Sequence, residues 1–136
     1  MIVFDFDNTL CLNKNKSHKE NKSVVSMINN LHNHGVDVCI MTARMSPDLK
    51  PDYGINPFYD KIYDGQYSTV NNFVKKHLNF EPVIYYTNGK YKRDKLIELG
   101  AKILIDDNPY ERKEADTVGI LSMKPSEVKL LNLMIS

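Results

Sequence analysis

The sequence predicts a three-layer α/β/α fold around a five-stranded parallel sheet, and three observations predict it. Short apolar runs recur five times along the 136 residues, stretches of helical periodicity separate them, and acidic or hydroxyl residues stand at the ends of several runs. Parallel neighbours require crossover connections, so strands alternating with helices give a sheet covered on both faces. Ligands bind such sheets beyond the carboxyl ends of the strands. The length suits one domain, and no repeat, low-complexity segment or linker divides the chain.

The elements follow in order. Residues 2 to 6 read as a buried strand delivering Asp5 and Asp7 to its end, and the polar stretch from Asn13 to Lys22 reads as an exposed loop. A helix capped near Asn21 or Ser23 turns Val24, Val25, Met27, Ile28 and Leu31 to one side and ends at Gly35. Val36 to Met41 is the second strand, stopping at Thr42-Ala43-Arg44. From Met45 to Tyr67 three prolines, two glycines and five aromatics leave no clean period, which predicts a long loop or small flap. Ser68 caps a helix with Val70, Phe73, Val74 and Leu78 inward, Pro82 to Thr87 is the third strand, and Asn88-Gly89 turns it. Lys92 to Leu99 forms a helix ending at Gly100, and Lys102 to Ile105 is a fourth strand delivering Asp106 and Asp107. Pro109 opens a short helix, Thr117 to Leu121 is the fifth strand, and a helix capped by Ser126 follows Pro125.

Composition excludes several classes. A net charge of +1 argues against a globally basic nucleic-acid binder, although Lys14, Lys16, Lys19 and Lys22 form one basic cluster and Lys90, Lys92, Arg93 and Lys95 another. Either cluster suits an anionic substrate or a solvated face. No stretch approaches the roughly 18 consecutive apolar residues of a membrane span, and the N-terminus has no secretory pattern, so a cytoplasmic protein is expected. Cys11 and Cys39 are accordingly expected as reduced thiols, and His18, His32, His34 and His77 as surface or packing residues.

Asp5 and Asp7 are two apart, so on an extended chain their carboxylates project to the same side, and Asp106-Asp107 adds a second acidic pair. Carboxylates gathered at one sheet edge repel unless a cation joins them, and hard oxygen ligands suit Mg²⁺. A metal also lets a carboxylate approach a phosphate and attack phosphorus, giving an acyl phosphate. Taken singly, these residues also read as helix caps and surface charges.

Phe4-Asp5-Phe6-Asp7-Asn8-Thr9-Leu10 closely resembles the first signature of the haloacid dehalogenase superfamily, in its Asp-x-Asp-x-Thr phosphatase branch. The resemblance implies a Rossmann-like domain, Asp5 as nucleophile, Asp7 as the general acid that protonates the leaving oxygen and then activates water, and Thr9 as support for the loop. Ile40-Met41-Thr42 resembles the second signature, so that Thr42 holds a phosphate oxygen, with Asn8, Ala43 and Arg44 beside the substrate. Arg44 has the planar fork for a phosphate, or for a nearby acid. The third signature is a lysine near a helix start. Lys92, fourteen residues before Asp106, is similar in spacing, with Lys90 and Lys95 as rivals. Ile103-Leu104-Ile105-Asp106-Asp107 resembles the fourth, implying that Asp107 binds Mg²⁺ directly with Asp106 orienting the site, in a metal set of Asp5, Asp7, Asp106 and Asp107.

Larger relatives insert a cap, which the short gaps here do not accommodate; an open site and large substrates are expected. Arg44, the tyrosine-rich loop and the basic segment after strand three resemble in layout the phosphatase half of polynucleotide kinase-phosphatases. A nucleic-acid 3′-phosphate, a nucleotide or a sugar phosphate are the candidate substrates. The tyrosines either stack on bases or pack the loop. No kinase half is expected, since no glycine-rich phosphate loop appears. Two rivals stand: a non-catalytic binding module of the same fold, and a phospho-acceptor receiver domain, which would need an aspartate after strand three, where Thr87-Asn88-Gly89 stands.

Overall fold

The structure, a computed structural model, describes residues 1–14, 17–47 and 69–135. In chain order these form β1 (Ile2–Phe4), β2 (Cys11–Lys14), β3 (Ser17–Glu20), α1 (Lys22–Asn33), β4 (Val38–Thr42), α2 (Thr69–His77), β5 (Ile84–Tyr86), α3 (Arg93–Leu99), β6 (Ile103–Ile105), α4 (Pro109–Thr117), β7 (Leu121–Met123) and a 3-10 segment, Pro125–Met134. Five strands make one parallel sheet in the order β5-β4-β1-β6-β7, with helices around it, the Rossmann-like α/β fold that the alternation predicts.

Both faces of the sheet are buried, because each central strand alternates its side chains between two cores. Ile2 and Phe4 of β1, Ile40 of β4 and Ile103 and Ile105 of β6 pack with α1, α2 and the 3-10 segment. Val3, Cys39, Met41 and Leu104, their neighbours in the chain, pack with Leu96 of α3 and Ala115 of α4 on the other side. Each large side chain fully buried there contributes about 1.5–3 kcal/mol of transfer free energy. Since β1, β4 and β6 are hydrophobic on both faces, they can occupy only the middle of the sheet, which places their C-terminal ends side by side.

Helix α1 buries Val24, Val25, Met27, Ile28 and Leu31 at helical spacing, starts after Asn21 and is closed by Gly35 at φ 79, whose conformation lets Val36 N–H bond to Leu31 O. Helix α2 buries Val70, Phe73 and Val74 as the periodicity predicts, whereas Ser68 and most of the aromatic loop lie outside the described residues.

Three elements differ from expectation. The polar stretch after the first strand contains an antiparallel hairpin, β2 with β3, in the register Cys11↔Glu20 to Lys14↔Ser17; it is tied down at its exit by Asn21 N–H to Leu10 O, 2.8 Å. The last sheet strand begins at Leu121 rather than running from Thr117: Thr117 finishes α4, and Gly119 at φ 78 reverses the chain before β7. The final segment is a 3-10 helix with Lys124, not Ser126, as its cap, and Glu127 accepts the Lys124 N–H at 2.9 Å. Cys11 and Cys39 are buried thiols not joined to each other. Burial pushes them up to about 11 and about 12 respectively. No helix among the described residues is long and apolar enough to cross a membrane.

Candidate functional site

Strand register brings the first two acids together. Phe4 of β1 pairs with Ile105 of β6, and the ladder continues one step through Asp5 N–H to Ile105 O at 2.9 Å, so Asp5 and Asp106 leave adjacent strands side by side. Both are buried, Asp5 6% and Asp106 1% exposed, while Asp107 is exposed. One carboxylate oxygen from each of Asp5, Asp106 and Asp107 lies within 4.8 Å of the others. Three hard oxygen donors at that spacing fit a divalent cation such as Mg²⁺.

Lys92 enters from the start of α3 and is 2% exposed. Its Nζ donates to Asp5 Oδ1 at 2.7 Å and to Asp106 Oδ2 at 2.5 Å. Burial raises Asp5 to about 6 despite the opposing pull of Lys92, and burial together with the Asp5 charge raises Asp106 to about 6. For Lys92 burial acts to lower the pKa, but the Asp5 and Asp106 charges outweigh it and hold the ammonium above its ordinary value. Lys90 is exposed and Lys95 bonds Glu98 at 3.3 Å and lies over the Tyr85 ring; both line a hollow of about 520 Å³ beside α3 that shares no residue with the acidic cavity. Of the three rival lysines, Lys92 is the one in contact with Asp5.

Thr9 is fully buried, donating to Asp5 Oδ2 at 2.9 Å and accepting the Asp107 N–H at 3.2 Å, so one hydroxyl ties the two acidic ends together. The turn that allows this carries Asn8 at φ 59, a left-handed conformation asparagine tolerates. Thr42 ends β4, buried, with its Oγ1 accepting the Arg44 N–H at 3.2 Å. The Asn88-Gly89 turn braces this stretch: Thr87 N–H bonds to Thr42 O, Gly89 N–H to Ala43 O and Asn88 N–H to Arg44 O. Arg44, left open between a phosphate and an acid, takes the acid. Its Nε and Nη2 donate to the two oxygens of Asp7 at 2.9 and 2.8 Å, with the guanidinium 5.4 Å from the Phe6 ring centre. Asp7 is thus held by Arg44, and its carboxylate is not one of the three clustered oxygens.

A cavity of about 210 Å³ is lined by Asp5, Asp7, Asn8, Ala43, Lys92, Asp106, Asp107, Asn108 and Glu111. Glu111 was not singled out from the sequence, where it is one acid among several in α4. It is 5% exposed, its Oε1 accepts the Lys92 N–H at 3.1 Å and its Oε2 lies 3.9 Å from Lys92 Nζ. Burial raises its pKa, with Lys92 acting in the opposite direction. The four histidines lie elsewhere: His32 stacks on Phe80, His34 bonds Asn30 O, His18 approaches Cys11 Sγ at 3.9 Å, and His77 approaches Glu20 at 3.7 Å.

A family model described as haloacid dehalogenase-like hydrolase matches residues 2–56. That span carries Asp5, Asp7, Thr9, Thr42 and Arg44, while Lys92, Asp106 and Asp107 lie beyond it and join them in space. The match and the parallel sheet support the haloacid dehalogenase superfamily of hydrolases. No curated protein and no solved structure matches the chain.

Proposed function

We propose that the chain is a magnesium-dependent phosphomonoesterase that works through an aspartyl-phosphate on Asp5, and that residues 1–136 form one hydrolase domain without a full cap. The observation that carries this reading is a buried carboxylate bonded to a buried ammonium at 2.7 Å, beside two further acids whose oxygens lie within 4.8 Å of its own. Phosphoryl transfer needs positioning and charge neutralisation more than covalent machinery, and these groups supply both.

Asp5 attacks phosphorus, forming the aspartyl O–P bond as the ester P–O bond breaks, and the ester oxygen leaves with the electron pair and takes a proton from Asp7. Water then attacks phosphorus, passing a proton to Asp7, and inorganic phosphate leaves as Asp5 is restored. Lys92 and Thr9 hold the two oxygens of Asp5 before attack. Thr42 and the neighbouring backbone hold phosphate oxygens. Both Asp7 oxygens accept from Arg44, and the substrate phosphate is the competing acceptor that would draw the guanidinium away as Asp7 transfers its proton. Asp5, Asp106 and Asp107 would hold Mg²⁺, which when bound supplies positive charge toward the phosphoryl oxygens.

The substrate class is a phosphomonoester, with nucleic-acid 3′-ends, nucleotides and sugar phosphates as the set to discriminate. The receiver alternative finds no support, because β5 is followed by Thr87-Asn88-Gly89 rather than an aspartate. The test is Mg²⁺-dependent phosphate release from an aryl phosphate and that substrate set by wild type and Asp5→Asn. A loss on the order of 10³-fold or more is expected for the variant, and silencing by chelator reversed by Mg²⁺. Wild-type silence across the panel with Mg²⁺ binding intact would instead make the chain a binding module.

A further inference from the structure

Glu111 is a third buried acid at the site, beside Asp5 and Asp106, and the phosphoryl-transfer steps above do not use it. It is the third residue of α4, after the cap Asn108 and Pro109. A glutamate at that position ordinarily folds back onto the amide of its own cap residue. Glu127 of this same chain does so, accepting the Lys124 N–H at 2.9 Å. Glu111 does not: the Asn108 N–H donates to Asp106 Oδ1 at 3.0 Å, and Glu111 Oε1 reaches across nineteen residues of sequence to the Lys92 N–H at 3.1 Å. That amide needs a partner, because Lys92 caps α3, the first amides of a helix have none within it, and α3 has no side-chain cap bond. The second oxygen lies 3.9 Å from Lys92 Nζ, making Glu111 the third carboxylate around that ammonium. Favouring the helix dipole would account for an acid in the first turn of α4, but an exposed acid would serve that purpose. It does not account for an acid 5% exposed beside Asp106.

We propose that Glu111 is the positioning residue for Lys92, fixing the backbone from which the side chain starts and drawing its ammonium to the place where it meets Asp5. The catalytic consequence rests on the phosphatase reading. As Asp5 gives its charge to the phosphoryl group, the ammonium must keep its place without help from Asp5, and Glu111 and Asp106 are the anchors that remain. A displacement of about 1 Å at such a group costs on the order of 10²-fold in rate.

The experiment compares the full chain carrying Glu111→Gln, Glu111→Asp and Glu111→Ala with wild type. Amide hydrogen exchange at Lys92 is read by NMR, and kcat and KM are read on an aryl phosphate with Mg²⁺. Glu111→Gln keeps the accepting oxygen but not the charge beside Nζ, and is expected to keep Lys92 protection while losing less kcat than Glu111→Ala. Glu111→Asp keeps a charge in the first turn but falls short of Lys92; like Glu111→Ala it is expected to lose about 10-fold or more in protection and roughly 10- to 100-fold in kcat, with KM changed by less than about 3-fold. In a Lys92→Met background Glu111→Ala should cost less than about 2-fold further, since the group it positions is gone. Unchanged protection at Lys92 in Glu111→Ala and Glu111→Asp, or an equal kcat loss with and without Lys92, would overturn the proposal. If wild type shows no Asp5-dependent turnover, the phosphatase reading falls, and the exchange measurement still decides whether Glu111 holds Lys92.

Discussion

Replacing Lys92 by methionine removes one charge from the centre of the site while nearly keeping its apolar stem, so its cost isolates electrostatics from packing. In the wild type the ammonium bonds two carboxylates that are 6% and 1% exposed. Removing one partner of a buried ion pair typically costs about 3–5 kcal/mol, because the remaining charge has neither water nor a counter-ion. Here the stranded groups have an escape: they can bind protons. Asp5 and Asp106 already stand at about 6 with Lys92 present, and without it they move higher. A carboxyl whose folded pKa lies above its unfolded value of 3.8 makes the native state the better proton binder, so stability falls as pH rises through the interval between the two. At pH 8 the full cost of about 3–5 kcal/mol is expected, whereas near pH 5 both carboxyls are protonated in the variant and the cost shrinks to about 1 kcal/mol. Urea unfolding of both proteins at the two pH values, in chelator, reads this directly, with equal m-values as the control for two-state behaviour. A loss of the same size at both pH values, or a larger one in acid, would refute the electrostatic account of Lys92.

Two further outcomes follow from the same geometry. Metal-free wild type should lose stability between about pH 4 and pH 6 as Asp5 and Asp106 ionise, on the order of 3 kcal/mol for one such carboxyl. Thermal unfolding in chelator should show this fall, and Mg²⁺ or Asp106→Asn should flatten it; a profile unaffected by either would contradict the three-acid site. Asn8 at φ 59 accepts a left-handed backbone that valine resists, so Asn8→Val should cost about 1–2 kcal/mol while Asn8→Gly stays near neutral in denaturant titration. Equal stability of the two variants would show that the turn relaxes.

Most of the sheet was legible because its central strands are buried on both faces. Ile2–Phe4 and Ile103–Ile105 are unbroken apolar runs, and an acid follows each at once, so strand ends and site acids could be read together. Lys92 was legible as one of three lysines, and burial against Asp5 separates it from Lys90 and Lys95. The hairpin of β2 and β3 escaped notice because Ser17–Glu20 carries no apolar alternation; main-chain pairing with β2, rather than side-chain pattern, makes it a strand. The displacement of β7 has a similar origin: Val118 and Ile120 have strand propensity, but Gly119 at φ 78 and the Ile120 N–H bond to Ala115 O spend those residues on closing α4. Glu111 could not be found from one sequence, because its partner is nineteen residues earlier and becomes a neighbour only when α3 and α4 pack on the same face of the sheet. One local signal existed: Asp106-x-Asn108 places an acid where it can take the Asn108 amide, which leaves Glu111 without its usual partner.

The most direct test of the central claim is to look for phosphate on Asp5. Wild-type protein would be mixed with excess aryl phosphate and Mg²⁺, quenched in acid within the first turnover, digested and examined by mass spectrometry. A phosphoryl group on the peptide carrying Asp5, absent from Asp5→Asn and from a chelator-treated sample, is the predicted result. Turnover that proceeds with no phosphoryl group on Asp5 at any quench time, or that persists in Asp5→Asn, would contradict it.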